Sequence, residues 1–225
     1  PGNSEEASLL ASNKYCMRKA FFAGNCPSPK SIRVSCVEDL KDVQLKYPII
    51  VKPLDRSGSR GITKLPDAEG LEKAIADAIE QGFEKYALVE EFVVGEEYSV
   101  ECISYHGEHH FLAMTKKYTT GAPHFIETGH VEPSGVSGDM LEQVKRVVFH
   151  ALDTLKITDS ASHTELKISE SGDIKLIEIG GRMGGDYIGS DLVQMSTGID
   201  FVRAVIQVAA GEKPDLSKMQ NTEVA

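Results

Sequence analysis

Two glutamates near the C-terminal end of the chain are spaced to share a cation. Ser171-Gly172 reads as a two-residue hairpin turn between two segments of strand character, residues 162–169 and 174–179. Pairing outward from that turn brings Glu165 directly opposite Glu178, with Cβ atoms roughly 4.5–5.5 Å apart. Like charges facing each other destabilise a sheet, so the pair is expected to need either protonation or a bridging cation. Lys167 and Lys175 alternate onto the same strands and could make the pair a plain solvated face. Glu178 also lies between Ile177 and Ile179, after Leu176, so the strand enters a core, where a carboxylate needs a partner. Hard oxygen ligands a few ångströms apart suit Mg²⁺ (or Mn²⁺), which completes its shell with substrate phosphates.

Lys52 is the second feature. It ends the apolar run Ile49-Ile50-Val51 and precedes Pro53. A lysine closing a core-like strand is costly unless it meets an anion. Asp55-Arg56-Ser57-Gly58-Ser59-Arg60-Gly61 follows at once. Backbone N–H groups in such a loop can converge on phosphate oxygens, and the arginines add positive charge; taken alone, a plain flexible hairpin loop is the favoured reading. The string is not a P-loop, since it lacks the G-K-[ST] ending and no helix follows directly. Its glycine spacing is not that of a dinucleotide-binding turn. Further on, Glu90-Glu91-Phe92-Val93-Val94-Gly95-Glu96-Glu97 joins a strand to a short apolar link. Backbone groups around Val93 could meet a purine edge and Glu97 could accept from ribose hydroxyls; an acidic surface turn is the plainer alternative.

The elements that must position these residues follow from punctuation and periodicity. Residues 13–23 read as a helix closed by Gly24. Pro27 and Pro29 keep the next stretch extended, and 31–35 is a short strand. Ser35 and Glu38 form a capping-box pattern for a helix to about residue 46. Strands are expected at 47–53 and 62–65, a helix at 67–81 ended by Gly82, and a strand at 86–92. Residues 97–105 and 109–118 look like a hairpin around Gly107, 119–133 an irregular stretch, and 137–155 a helix capped by Ser137. Residues 180–185 are a glycine-dense turn, and helical patterning returns over 187–210 with a break near Gly198. Helices mixed with antiparallel pairs predict an α+β fold rather than a doubly wound parallel sheet.

Composition narrows the function classes. The 225 residues carry 24 Lys+Arg against 34 Asp+Glu, a formal charge of −10. That balance argues against non-specific nucleic-acid binding, which needs a basic surface. No apolar run approaches the ~20 residues needed to span a membrane. Cys16, Cys26, Cys36 and Cys102 form no C-x-x-C pair, which favours free thiols in a reducing, cytoplasmic compartment. Residues 1–8 lack the basic start and apolar middle of a signal peptide. Residues 1–4 read as a loop cut in mid-chain, so the sequence is expected to be a piece of a longer protein.

Taken in order, these motifs resemble the ATP-grasp superfamily of ATP-dependent carboxylate–amine ligases. The resemblance runs from about residue 13 to residue 211. It rests on Asn13-Lys14 opening a helix, Ile50-Val51-Lys52-Pro53 before a Gly/Ser loop, Val89-Glu90-Glu91-Phe92, then Glu165, then Ile177-Glu178-Ile179-Gly180-Gly181-Arg182. It implies two α+β lobes whose antiparallel sheets grip ATP: a small mobile lobe over about 27–92 and a larger, metal-binding lobe over about 93–211. Lys14 and Lys52 then hold ATP phosphates, and Ser57, Gly58, Ser59 and Gly61 belong to the loop that closes over them. Glu90 and Val93 match the adenine link, Glu97 the ribose acceptor, and Glu165 and Glu178 the magnesium ligands. Arg182 steadies the transferring phosphoryl group. His130 and Lys117 face the acceptor substrates.

Many members carry Asn where this chain has Gly180, a further metal ligand that glycine cannot supply. L-amino-acid (dipeptide) ligases are similar to this chain in that departure. The implied activity is activation of a carboxylate as an acyl phosphate, then attack by an amine. The alternatives are a glycinamide-ribonucleotide- or biotin-carboxylase-type ligase, and a non-catalytic nucleotide-binding regulatory module. A kinase-like enzyme is disfavoured, as no H-R-D or D-F-G string occurs. The partners implied are small carboxylates and amines, with neither nucleic acid nor membrane. Family members carry a further N-terminal domain, expected here to be missing from the sequence, through which a homodimer would form.

Overall fold

Polar caps and glycines set the helix limits much as the sequence predicts. The computed structural model describes residues 2–56, 58, 60–122 and 126–218. Helix α1 is Glu5–Ser12, capped by the Ser4 side chain, an element the sequence reading did not include. Asn13 caps α2, Lys14–Ala23, by accepting from the backbone N–H groups of Tyr15 and Cys16. Strand β1 is Ser31–Val34. The helix predicted after Ser35 is only a single 3₁₀ turn, Val37–Leu40. The reason is local: the Asp39 carboxylate turns back onto the Ser35 backbone N–H and hydroxyl, closing the turn instead of letting a helix propagate.

Strands β2, Ile49–Pro53, and β3, Thr63–Leu65, flank the Gly/Ser loop. Helix α3 is Leu71–Gln81, four residues shorter at its start than expected. Asp67 accepts from the Glu69 N–H, and Gly70 takes a left-handed φ of 77°, so the chain turns before the helix begins. Strand β4 is Ala87–Glu91. The long hairpin is β5, Glu96–Tyr105, with β6, Glu108–Thr119. The stretch expected to be irregular contains strand β7, Glu127–Val131, which pairs Lys117 with His130. Helix α4 is Gly138–Thr154. The second hairpin is β8, Ser160–Ile168, with β9, Ile174–Gly180. A π-helical turn, Ile188–Leu192, leads into α5, Val193–Thr197, and α6, Phe201–Ala210.

Among the described residues the strands form two antiparallel sheets. One has the order β1-β4-β2-β3, the other β7-β6-β5-β8-β9. Helix α3 covers the first sheet through Ala74, Ile75 and Ala78, packed with Val51 and Val89. Helices α2 and α4 cover one face of the second through Met17, Phe21, Val148 and Leu152, packed with Leu166 and Leu176. Phe201 and Val208 of α6 pack with Ile103 and Ala161 of the same sheet. The fold class is therefore α+β, as expected.

The hairpin that carries the two glutamates differs from its expected form in an instructive way. The turn is one residue longer than Ser171-Gly172, closed by Ser169 N–H to the Asp173 carbonyl, and Leu166 pairs with Leu176. Continued unbroken, that register would put Ile177 opposite Glu165 and turn Glu178 into the core face. A β-bulge intervenes: Ile177 has no partner, and pairing resumes with Glu165 opposite Glu178. The bulge lets Leu176 and Ile179, three positions apart, both reach 0% exposure while Glu178 faces outward. The acid pair is where a two-residue turn predicts it, through two offsets that cancel.

Candidate active site

One cleft between the two sheets gathers most of the residues singled out above. Its lining includes Lys14, Lys52, Gly58, Glu90, Val93, Glu97, Glu165, Glu178 and Arg182. Ile50 and Phe92 line it from the side of the first sheet and the link. Ser57 and Ser59 lie outside the described residues. Gly61 is not part of the lining: it has φ 69°, and a Cβ there would sit 2.9 Å from Pro53 Cγ, so its role is to turn the chain tightly against β2.

The cationic floor starts from α2. Lys14 and Arg18 are one helical turn apart and both buried. Lys14 Nζ donates to the Arg56 carbonyl of the Gly/Ser loop at 2.7 Å and to Glu178 Oε1 at 3.1 Å. Arg18 Nε donates to Glu90 Oε1 at 2.5 Å, and Lys52 Nζ lies 2.5 Å from Glu90 Oε2. Burial pushes the Glu90 carboxyl up, but the adjoining Arg18 and Lys52 charges pull it further down, below the usual range. Glu90 is therefore a counter-ion that fixes Lys52 in the wall. Its carboxylate is engaged by these two cations while the residue still lines the cleft beside Val93.

The acid pair is also answered by lysines, though not by those of its own strands. Lys167 turns to Glu97 at 3.4 Å and to the Phe92 ring, whose centroid is 4.9 Å away. Glu178 meets Lys14, as above. Glu165 meets Lys117 Nζ at 2.8 Å, and the same ammonium reaches Glu127 at 2.6 Å. Burial would raise the Glu165 carboxyl; the His163 hydrogen bond and the Lys117 charge hold it well below the ordinary carboxylate range. The same acids raise Lys117 against its burial. Mutual repulsion thus does not by itself demand a cation, which corrects that expectation.

Behind Glu165 a buried His–Glu pair forms a strut. His163 Nδ1 shares a hydrogen with Glu101 Oε1, and Glu101 Oε2 accepts from the Gly184 N–H at 2.9 Å. His163 Nε2 faces Glu165 at 3.6 Å. Burial lowers the His163 imidazole, but its two carboxylate neighbours raise it to about 9. Gly184 is required here, since a Cβ would stand 2.7 Å from Glu101 Oε1. This strut ties the glycine-dense turn that bears Arg182 to β5 and β8. Arg182 is exposed, lines the cleft and donates to the Met183 carbonyl at 2.5 Å.

His130 lies behind the lining and bonds Glu127 at 2.7 Å. Lys117 is 2% exposed and supports Glu165 and Glu127 from behind. Glu127, which does line the cleft, escaped sequence reasoning because its strand was read as irregular. Arg18 was also missed, although its four-residue spacing from Lys14 on one helix face was a usable signal. Glu101 and His163 gave none, since a buried His–Glu pair has no motif.

Among the described residues no three or more His, Cys, Asp or Glu side chains form a metal-holding group. Glu165 and Glu178 supply two hard oxygen ligands on one face, which fits a cation that arrives with phosphate oxygens rather than a resident one. Gly180 leaves room: the atoms nearest a Cβ there belong to the Arg182 side chain, at 3.5 Å or more. The four cysteines are free thiols. Among the described residues no helix is long and apolar enough to cross a membrane.

Comparison with known proteins points the same way. A family model described as an ATP-grasp domain matches residues 45–191. Alanine–anticapsin ligase of Bacillus subtilis is 28% identical over 242 residues, covering 96% of this chain and 51% of that protein. D-alanine–D-alanine ligase of Ectopseudomonas mendocina is 24% identical over 222 residues, covering 93% of this chain and 68% of that one. The crystal structure of L-amino acid ligase from Bacillus licheniformis superposes with a TM-score of 0.83 at 24% identity, covering 97% of this chain and 54% of that chain, a likeness of fold. The chain spans about half the length of the alanine–anticapsin ligases it matches.

Proposed function

The chain belongs to the ATP-grasp domain family, and on that footing we propose that it serves an ATP-dependent carboxylate–amine ligase joining amino acids or related small molecules. One observation carries the reading. Lys14 and Lys52, the facing Glu165 and Glu178, and Arg182 come from four separate parts of the chain and line a single cleft between two sheets. That is a cationic cradle beside an acidic pair, the arrangement that a nucleoside triphosphate with its cation needs. The names of the similar proteins, alanine–anticapsin ligase and D-alanine–D-alanine ligase, favour amino acids as substrates.

In this reading residues of about 27–92 form the smaller lobe, residues of about 93–211 the larger, and ATP lies between them. Lys52, fixed by Glu90, and Lys14 hold the phosphates. Lys14 can exchange Glu178 for a phosphate oxygen without crossing the cleft, since it already touches the Gly/Ser loop. Glu165 and Glu178 would hold Mg²⁺, which neutralises phosphate charge when bound. A substrate carboxylate oxygen attacks the γ-phosphorus, the bond to the β-phosphate oxygen breaks, and an acyl phosphate and ADP result. An amine then attacks the acyl carbon, inorganic phosphate leaves, and the amine proton is lost. The protein's part is positioning and charge neutralisation, with Arg182 beside the transferring group. Glu97 would accept from the ribose, Val93 would lie along the adenine, and His130 and Lys117 would steady the acceptor side through Glu127 and Glu165. A cytoplasmic setting suits the four thiols.

ADP release in the presence of pooled amino acids tests the proposal. Release that requires both amino acids and Mg²⁺ supports it. Release driven by bicarbonate instead would indicate a carboxylase-type ligase, and nucleotide binding without any turnover would indicate a regulatory module; either overturns the amino acid reading.

A further inference from the structure

Arg18 is 4% exposed and lies behind the cleft wall, whose surface here is made by Lys52, Glu90, Ile177 and Glu178. Its guanidinium makes two kinds of contact at once. Nε and Nη2 donate to the two oxygens of Glu90, at 2.5 and 3.4 Å, and Glu90 in turn grips Lys52. Nη2 also donates to the backbone carbonyl of Ile177 at 2.7 Å. Ile177 is the unpaired residue of the β9 bulge, and that bulge is what turns Glu178 out of the core.

We propose that Arg18 is a positioning residue: its buried fork ties Lys52, through Glu90, to the Ile177 bulge, and so fixes the phosphate-binding lysine of one sheet relative to the acid pair of the other. The inference rests on the nucleotide reading above and deepens it.

The chemistry of the side chain supports the assignment. Guanidinium is planar, always charged and carries donors in a rigid fork, so it can answer a carboxylate and a carbonyl in fixed relative positions. An ammonium in the same place has no such fork. Bulges next to sites commonly re-aim one side chain, and the re-aimed strand needs something to hold its displaced backbone. Here a side chain from α2 does so, and the same helix presents Lys14 one turn earlier. The lysines and the acid pair thus share one anchor. If Arg18 served only to neutralise Glu90, contact with Ile177 would be unnecessary.

The two roles separate by experiment. Arg18→Met leaves Glu90 short of one cation, and a lower melting temperature is expected whichever role holds. Lys52 still answers Glu90 in that variant, so the loss should be limited to a few degrees, and exchange elsewhere in the second sheet should stay near the parent's. Amide hydrogen exchange over residues 174–180, measured without ligand, should nevertheless be at least tenfold faster than in the parent. Calorimetric titration should show the Mg²⁺-dependent gain in ATP affinity cut at least tenfold, with metal-free ATP affinity changed less than threefold. Parent-like exchange together with a parent-like Mg²⁺ gain would reduce Arg18 to a counter-ion and overturn the proposal.

Arg18→Lys provides the second route should Arg18→Met not fold. It keeps a charge for Glu90 but lacks the fork, so it should melt near the parent and still lose the Mg²⁺ gain; retention of the gain overturns the tether. A parent protein that binds no ATP would sink the ligase reading instead, and the ligand-free exchange measurement would still decide for or against the tether.

Discussion

Glu165 and Glu178 face each other across β8 and β9, and each is met by a lysine from a distant part of the chain, Lys117 and Lys14 respectively. The two lysines differ in kind. Lys117 is locked between Glu165 and Glu127 at 2% exposure, whereas Lys14 borders the cleft and also contacts the Gly/Ser loop. The ligand-free acid pair is therefore balanced, and in the proposed reading a cation accompanying a triphosphate would displace only Lys14, which would have phosphate to turn to.

Glu178→Gln should leave the fold intact, because Glu178 points out of the core and its side chain is 32% exposed. Its loss would remove one of the two proposed metal ligands. Thermal melts are expected to match the parent within a few degrees, while calorimetry should show MgATP affinity falling at least tenfold. A variant that binds MgATP as the parent does would remove Glu178 from the metal site.

Lys117→Met should destabilise the ligand-free protein. It strips Glu165 and Glu127 of a buried cation, and breaking fully buried pairs costs about 3–5 kcal/mol. Both acids remain partly open to water, so about 2 kcal/mol is expected from denaturant titration. Added Mg²⁺ should restore part of the loss by screening Glu165. Unchanged stability without Mg²⁺ would show that Lys117 carries no such load.

Glu132 supplies a pH dependence. It is 0% exposed and accepts from the Thr115 and Ser196 hydroxyls, both at 2.5 Å. Burial raises its carboxyl despite those donors. A raised carboxyl favours the fold where it is protonated, below the unfolded value of about 4.3, and that contribution is lost as pH climbs through the higher folded value. Glu132→Gln should therefore melt higher than the parent at pH 7, with the gain shrinking toward pH 4. A gain that stays constant across that range would contradict the assignment.

Gly180→Asn tests the departure from the family pattern. The position has room for a side chain and no left-handed φ, so the variant should fold normally. An added carboxamide oxygen beside the acid pair should tighten MgATP severalfold and leave metal-free ATP unaffected. Weaker MgATP binding would mean that the cavity at Gly180 serves another purpose.

Much of this site was legible because its chemistry follows the chain. Lys52 after a β-branched run and Glu165 opposite Glu178 need only local patterns, and both reach the cleft. The same locality explains the misses. A 3₁₀ turn replaced the helix after Ser35 because one carboxylate, Asp39, turned back on its neighbours. Strand β7 was hidden because its partner β6 supplies the ladder, not its own glycine- and histidine-containing sequence. Arg18, Glu101 and His163 act across 159, 83 and 62 positions of sequence, a separation that no periodicity encodes. The hairpin shows how fragile a correct register can be: a longer turn and a bulge at Ile177 each shift it, in opposite senses.

The central claim is that Lys14, Lys52, Glu165 and Glu178 form one site for a nucleoside triphosphate and its cation. Titrating a non-hydrolysable ATP analogue into the protein by calorimetry, with Mg²⁺ and then with chelator, addresses it directly. Saturable binding to one site that weakens at least tenfold when Mg²⁺ is removed is the expected result. Binding that is indifferent to Mg²⁺, or absent under both conditions, would contradict the account.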